Sequence, residues 1–99
     1  MLLHTINKAP PSSSALASCL RAAAPGSVLL LIEDGVYAAT LELAHRSGLS
    51  ARDDLRRCVL APDVAARGLQ DLLAPELELV GYAGFVRLST ECHAVQSWY

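Results

Sequence analysis

The strongest constraint on this chain is the run Val28-Leu29-Leu30-Leu31-Ile32, apolar at every position, which stops abruptly at Glu33-Asp34-Gly35. An unbroken apolar run suits a strand buried on both faces, as in the interior of a parallel sheet; strict alternation would suit a strand with one wet face. Asp34-Gly35 would also suit a hairpin, but no alternating strand follows, so the expected order is strand, turn, helix. In open parallel sheets functional groups gather at the carboxyl ends of the strands, where Glu33 and Asp34 fall.

The rest of the chain repeats that unit. Leu2 to Ile6 is a short apolar segment, the expected first strand, and Asn7 to Pro11 is a turn because its two prolines cannot continue a central strand. Ser12, Ser13 and Ser14 offer helix caps. Leu16, Cys19, Leu20 and Ala23 then recur at helical spacing, and Pro25-Gly26 stops that helix. After the Val28–Ile32 strand, Val36, Ala39, Thr40, Leu43 and Ala44 define a second helix, closed by Ser47-Gly48. Ser50 to Arg57 reads as a polar connection and Cys58 to Ala61 as a third strand. Pro62-Asp63 opens a third helix with Ala65, Leu69, Leu72 and Leu73 on its apolar face, ended by Pro75. Leu77 to Val80 is a fourth strand, and Tyr82, Phe85, Val86 and Ser89 mark a fourth helix. Val95 to Tyr99 is extended and suits an edge strand. The alternation predicts a single α/β domain over residues 1–99: a doubly wound, mostly parallel sheet of four or five strands flanked by helices.

Composition narrows the function. At 53% hydrophobic and 18% charged residues, the chain is apolar-heavy for its 99 residues, which points to surface covered by a protein partner. The net charge is −2 and Lys8 is the only lysine, so no basic surface for direct nucleic-acid binding is expected. Met1 to His4 lacks the charged start of a signal peptide, and no apolar run approaches the ~20 residues that span a bilayer. Three cysteines without framework spacing fit a reducing cytoplasm.

Cys19 is the sharpest chemical candidate, because a thiolate that is reachable and of lowered pKa is a strong nucleophile. It shares an apolar stripe with Leu16 and Leu20, which favours a packed core thiol instead. Cys58 opens a predicted internal strand, so burial is expected there. Cys92 adjoins His93, but neighbouring residues on a helix do not face one another, which makes it a weaker candidate. Glu33 and Asp34 suit a pair of acid–base carboxylates. The favoured alternative has Asp34 cap the following helix and Glu33 pair with a partner. The scattered Cys and His residues match no metal-binding spacing, and no cofactor loop is evident.

Five phrases occur together in order: Leu3-His4-Thr5-Ile6-Asn7-Lys8; Leu30 to Ala39; Ala61 to Leu69; Gly81-Tyr82-Ala83-Gly84-Phe85-Val86-Arg87-Leu88; and Gln96-Ser97-Trp98. With them the whole chain resembles the TusB/DsrH family, the smallest members of the DsrEFH-like sulfur-relay proteins. Gly81 stands where the family usually has Asp, a weaker helix cap. The resemblance implies a doubly wound α/β fold and a heterohexamer with homologous TusC/TusD-like or DsrF/DsrE-like subunits. It implies persulfide transfer towards 2-thiouridine at the tRNA wobble position, with the principal sulfur-carrying cysteine on the larger subunit. Cys19 matches the place near the first helix where DsrH-type members of the sulfur-oxidation branch carry a cysteine, and that branch is the alternative.

Overall fold

The computed structural model describes all 99 residues. Five strands, β1 (Leu2–Ile6), β2 (Val28–Leu31), β3 (Arg56–Leu60), β4 (Glu78–Val80) and β5 (Ala94–Trp98), form one sheet in the order β4-β3-β2-β1-β5. Every neighbouring pair is parallel. Four helices alternate with them: α1 (Ala15–Ala22), α2 (Leu41–Arg46), α3 (Ala61–Ala66) and α4 (Tyr82–Glu91). The path from β1 to β4 always steps in one direction, so right-handed crossovers lay α1, α2 and α3 on one face. The step from β4 back to β5 reverses direction and puts α4 on the other.

The apolar run of β2 sits in the middle of the sheet, all four residues buried, as its composition requires. Alternate residues feed two cores. Leu29 and Leu31 join Ile6, Leu16, Cys19, Val36, Val59 and Val64 in a cluster of 17 buried residues under α1–α3. Val28 and Leu30 join Leu3, Cys58, Leu60, Val80, Leu88 and Cys92 in a cluster of 8 under α4. A single helix covers the second face, and the inequality of the two cores follows.

Four expected elements differ in extent or orientation. The continuous helix expected from Val36 to Ala44 is instead a 3-10 segment, Glu33–Ala39, followed by α2. Thr40 between them is extended (φ −64°, ψ 149°). There it bridges Leu73 antiparallel while Ala74 N–H donates to Ala39 O at 2.8 Å, bonds a continuous helix could not make. The third helix ends at Ala66 rather than before Pro75. Gly68, at φ +65°, closes it with paired bonds from Gly68 N–H to Ala65 O (3.2 Å) and Leu69 N–H to Val64 O (3.1 Å). Val64 and Leu69 are therefore its buried residues, while Ala65 and Leu72 are exposed. On α4 the inward line is Phe85, Leu88 and Cys92, leaving Tyr82 and Val86 in solvent. The third strand starts two residues earlier than expected, at Arg56, and Ala61 belongs to α3.

Candidate functional site

Cys19 is held on the inner side of α1 with Ala15 and Leu16 and has no solvent exposure. Burial pushes its thiol up to about 11, although the nearby Arg52 guanidinium pulls in the opposite direction. Arg52 is fixed by several bonds at once. It donates to Leu20 O and, at 2.8 Å, to Ala23 O, and it grips Asp54 through Nε (2.8 Å) and Nη2 (2.9 Å). The guanidinium thus satisfies carbonyls at the carboxyl end of α1, the negative end of the helix. Reactive thiols favour the opposite, amino-terminal end. Sequence reasoning placed Arg52 in a polar connection and missed this role; its only signal was a cation close to acidic residues in a segment too short to be a helix.

The other cysteines lie across the sheet. Cys58 is fully buried on β3, and burial, reinforced by the charge of Glu78, raises its thiol to about 11. Glu78 is itself held by Arg56, with Nη2–Oε2 at 2.7 Å and Nε–Oε1 at 3.1 Å. Cys92 caps the end of α4 and is 6% exposed. Cys58 and Cys92 share one core and Cys19 belongs to the other, so the three thiols do not converge. None of the hollows on the surface has a cysteine in its wall.

At the carboxyl end of β2, the chain turns sharply. Ile32 N–H donates to Ile6 O at 2.9 Å. Gly35 then passes so close to β1 that a Cβ there would lie 2.1 Å from Ile6 O. Glu33 adopts φ +50°, a left-handed conformation that non-glycine residues rarely take. Its N–H donates to Asp63 Oδ2 at 2.6 Å. Asp34 does not cap the following helix as expected. Its Oδ1 accepts from Arg67 Nη2 (2.9 Å) and Nε (3.1 Å), while Arg67 Nη1 reaches Asp63 O at 3.2 Å. Asp34 and Asp63 therefore stitch the β2 and β3 loops together, and the side chain of Glu33 points outward without a partner in the chain. Sharing one proton would need two carboxylates side by side; Asp34 is occupied by Arg67.

His4 is a second polar feature that the sequence concealed. On β1 it is 2% exposed, and its Nδ1 accepts from Trp98 Nε1–H at 3.1 Å. Its Nε2 is buried without a partner, and burial lowers its basicity. The neutral ring tethers the end of β5 to its neighbour β1.

Comparison with known proteins agrees with this fold. The chain is similar to Protein TusB of Sodalis glossinidius, with 34% identity over 98% of the chain and the whole of that protein. Protein TusB of Escherichia coli is 31% identical over the same shares. The solved structure of MTH1491, a protein of unknown function from Methanobacterium thermoautotrophicum, superposes with a TM-score of 0.72. It covers 96% of each chain at 18% identity, and supports the fold alone. The family described as DsrH like protein matches residues 8–95. With nearly full-length relatives above 30% identity and five parallel strands in a doubly wound order, this chain belongs to the DsrH-like family.

Proposed function

We propose that this chain is a noncatalytic assembly subunit of a cytoplasmic sulfur-relay complex of the TusBCD kind. That complex passes persulfide sulfur towards 2-thiouridine at the tRNA wobble position, and two larger homologous subunits complete it. Membership of the family supports the place in a complex. The observation that carries the noncatalytic part is the complete burial of Cys19, with its thiol displaced away from the thiolate. A sulfur carrier must meet both donor and acceptor thiols, and Cys19 meets neither without an opening of α1. Exposed apolar side chains away from β5, among them Leu41 and Leu72, supply surface for neighbouring subunits.

The other function in view is a DsrH-type persulfide carrier acting through Cys19 in dissimilatory sulfur oxidation. The nearby charge of Arg52 favours it, and burial outweighs that charge. Co-expression with the two larger subunits, followed by size-exclusion chromatography, tests the assembly role. Co-elution at micromolar concentration is expected, with a total buried interface of at least ~1,000 Å². Persistent separation of the chain from both subunits would overturn it. A chain with Cys19, Cys58 and Cys92 all replaced should still support wobble-uridine thiolation wherever the assembled complex forms.

A further inference from the structure

The two edges of the sheet are unlike. At one edge, β4 has three residues and carries Glu78 pinned by Arg56, a short and charged strand of the kind that blocks edge pairing. At the other, β5 runs for five residues, Ala94-Val95-Gln96-Ser97-Trp98, with no charge and no proline. Its first four residues are exposed. None of the usual protections is present.

The direction of its backbone groups can be read. His93 N–H donates to Met1 O at 3.1 Å, towards β1. By the alternation of a parallel strand, Val95 and Ser97 also bond inward, so Ala94, Gln96 and Trp98 present N–H and C=O to the open side.

The surface beside this edge is apolar. On α4, Gly84, Arg87 and Glu91 line the flank above Arg56 and Glu78, and Phe85, Leu88 and Cys92 point down into the core. Helical geometry then puts Tyr82 and Val86 on the opposite flank, above β1 and β5. They are 62% and 63% exposed, and Val95 on the same face of the sheet is 50% exposed. The strand and this flank together form one open surface, to be set against the ~800 Å² per partner that a stable dimer buries.

We infer that β5 is a self-pairing edge: a second copy of this chain docks its own β5 antiparallel, centred on Gln96. The two sheets become one continuous sheet with a two-fold axis between them. That register pairs Ala94 with Trp98 of the other copy and Gln96 with Gln96. It therefore uses every outward N–H and C=O of the three outward residues, and a one-residue slip would use none. A neutral strand opposes a neutral strand, so no like charges meet. The occupant is a second copy because the same surface satisfies itself under a two-fold axis, as an isologous contact requires. The proposal does not rest on the sulfur-relay reading, and the purified chain alone tests it.

The 99-residue chain is measured by light scattering across ~1–100 μM, a range set by the affinity of ordinary interfaces, with three variants beside it. The wild type is expected to be a dimer at the upper end. Gln96→Lys, which sets two cations opposite each other at an exposed position, should keep its circular dichroism and dimerise at least ~10-fold more weakly. Gln96→Cys should form an intermolecular disulfide under mild oxidation, since directly opposed residues lie ~5.5 Å apart at Cα, within disulfide reach. Val95→Cys, which faces Ser97 of the other copy, should not. A monomeric wild type throughout the range overturns the proposal, including the case in which another protein's strand takes this edge. So does cross-linking of Val95→Cys as readily as Gln96→Cys, which would mean another register. Failure to assemble with the larger subunits bears only on the proposed function.

Discussion

Replacing Cys19 separates a packing role from a chemical one, and the structure sets the magnitudes. The side chain is fully buried, and its thiol stands at about 11 against an ordinary 9.0. That displacement lowers the thiolate population about 100-fold at neutral pH. In the closed protein the remaining thiolate still lacks a path for an attacking sulfur. Reaction through a transient opening restores ordinary acidity but is limited by the open fraction, which a ~3 kcal/mol opening sets at about one part in 150. By either route, modification of native Cys19 should be at least ~100-fold slower than in the unfolded chain. The assay is time-resolved labelling with a persulfide donor or iodoacetamide, mapped peptide by peptide with and without urea. Cys19→Ser should place a hydroxyl among apolar neighbours and cost about 1–2 kcal/mol in urea unfolding. The cost should remain below that of a wholly unpaired group, because a helical serine can donate to the carbonyl four residues earlier. Stoichiometric sulfur on Cys19 in the native protein, gained as fast as in urea and passed on to a second thiol, would refute the reasoning.

Gly35→Ala should destabilise by about 3 kcal/mol or more, because the new Cβ meets the Ile6 carbonyl, which is backbone and cannot swing aside; an unchanged urea midpoint would contradict the close approach. His4 gives a pH dependence of definite sign. Its folded pKa lies below the ordinary 6.5, so the unfolded chain binds more protons below that pH. Stability should be full above pH 6.5 and fall as the pH drops towards the folded value. The fall should be seen as a lower urea midpoint at pH 5.5 than at 7.5, and His4→Gln should flatten that slope.

Much of the fold was legible because parallel-sheet burial writes itself into composition. β2 needed no periodicity argument, since an unbroken apolar run suits a strand covered on both faces. The α1 stripe and the edge position of β5 were also readable. The second helix was not, because what breaks it is tertiary: Leu73 and Ala74 capture the backbone around Thr40 from more than thirty residues away. The end of α3 was available in Gly68, a good left-handed helix stop, but the apolar spacing of Leu69, Leu72 and Leu73 overrode it. On α4, Tyr82 and Val86 matched a helical face as well as Leu88 and Cys92 did, and only the position of the sheet distinguishes the two. The candidate site was legible in its residue types and not in its partners. Arg52 and Asp54 are neighbours in sequence, yet what Arg52 binds lies at the end of α1.

The placement of the first strand beside the last has a consequence during synthesis. Thr5 reaches Ser97, and His4 reaches Trp98, across separations of 92 and 94 residues. Before α4 and β5 have emerged, β1 to β4 are free to pair but one side of β1 has no neighbour. His4 then lacks its indole cover, and Leu3 lacks the helix that α4 will become. The emerging protein therefore passes through an interval with a long, apolar, unprotected border, the condition in which nascent chains stick to one another. Emergence of β5 closes that border on one side and simultaneously creates the next one, along β5 itself.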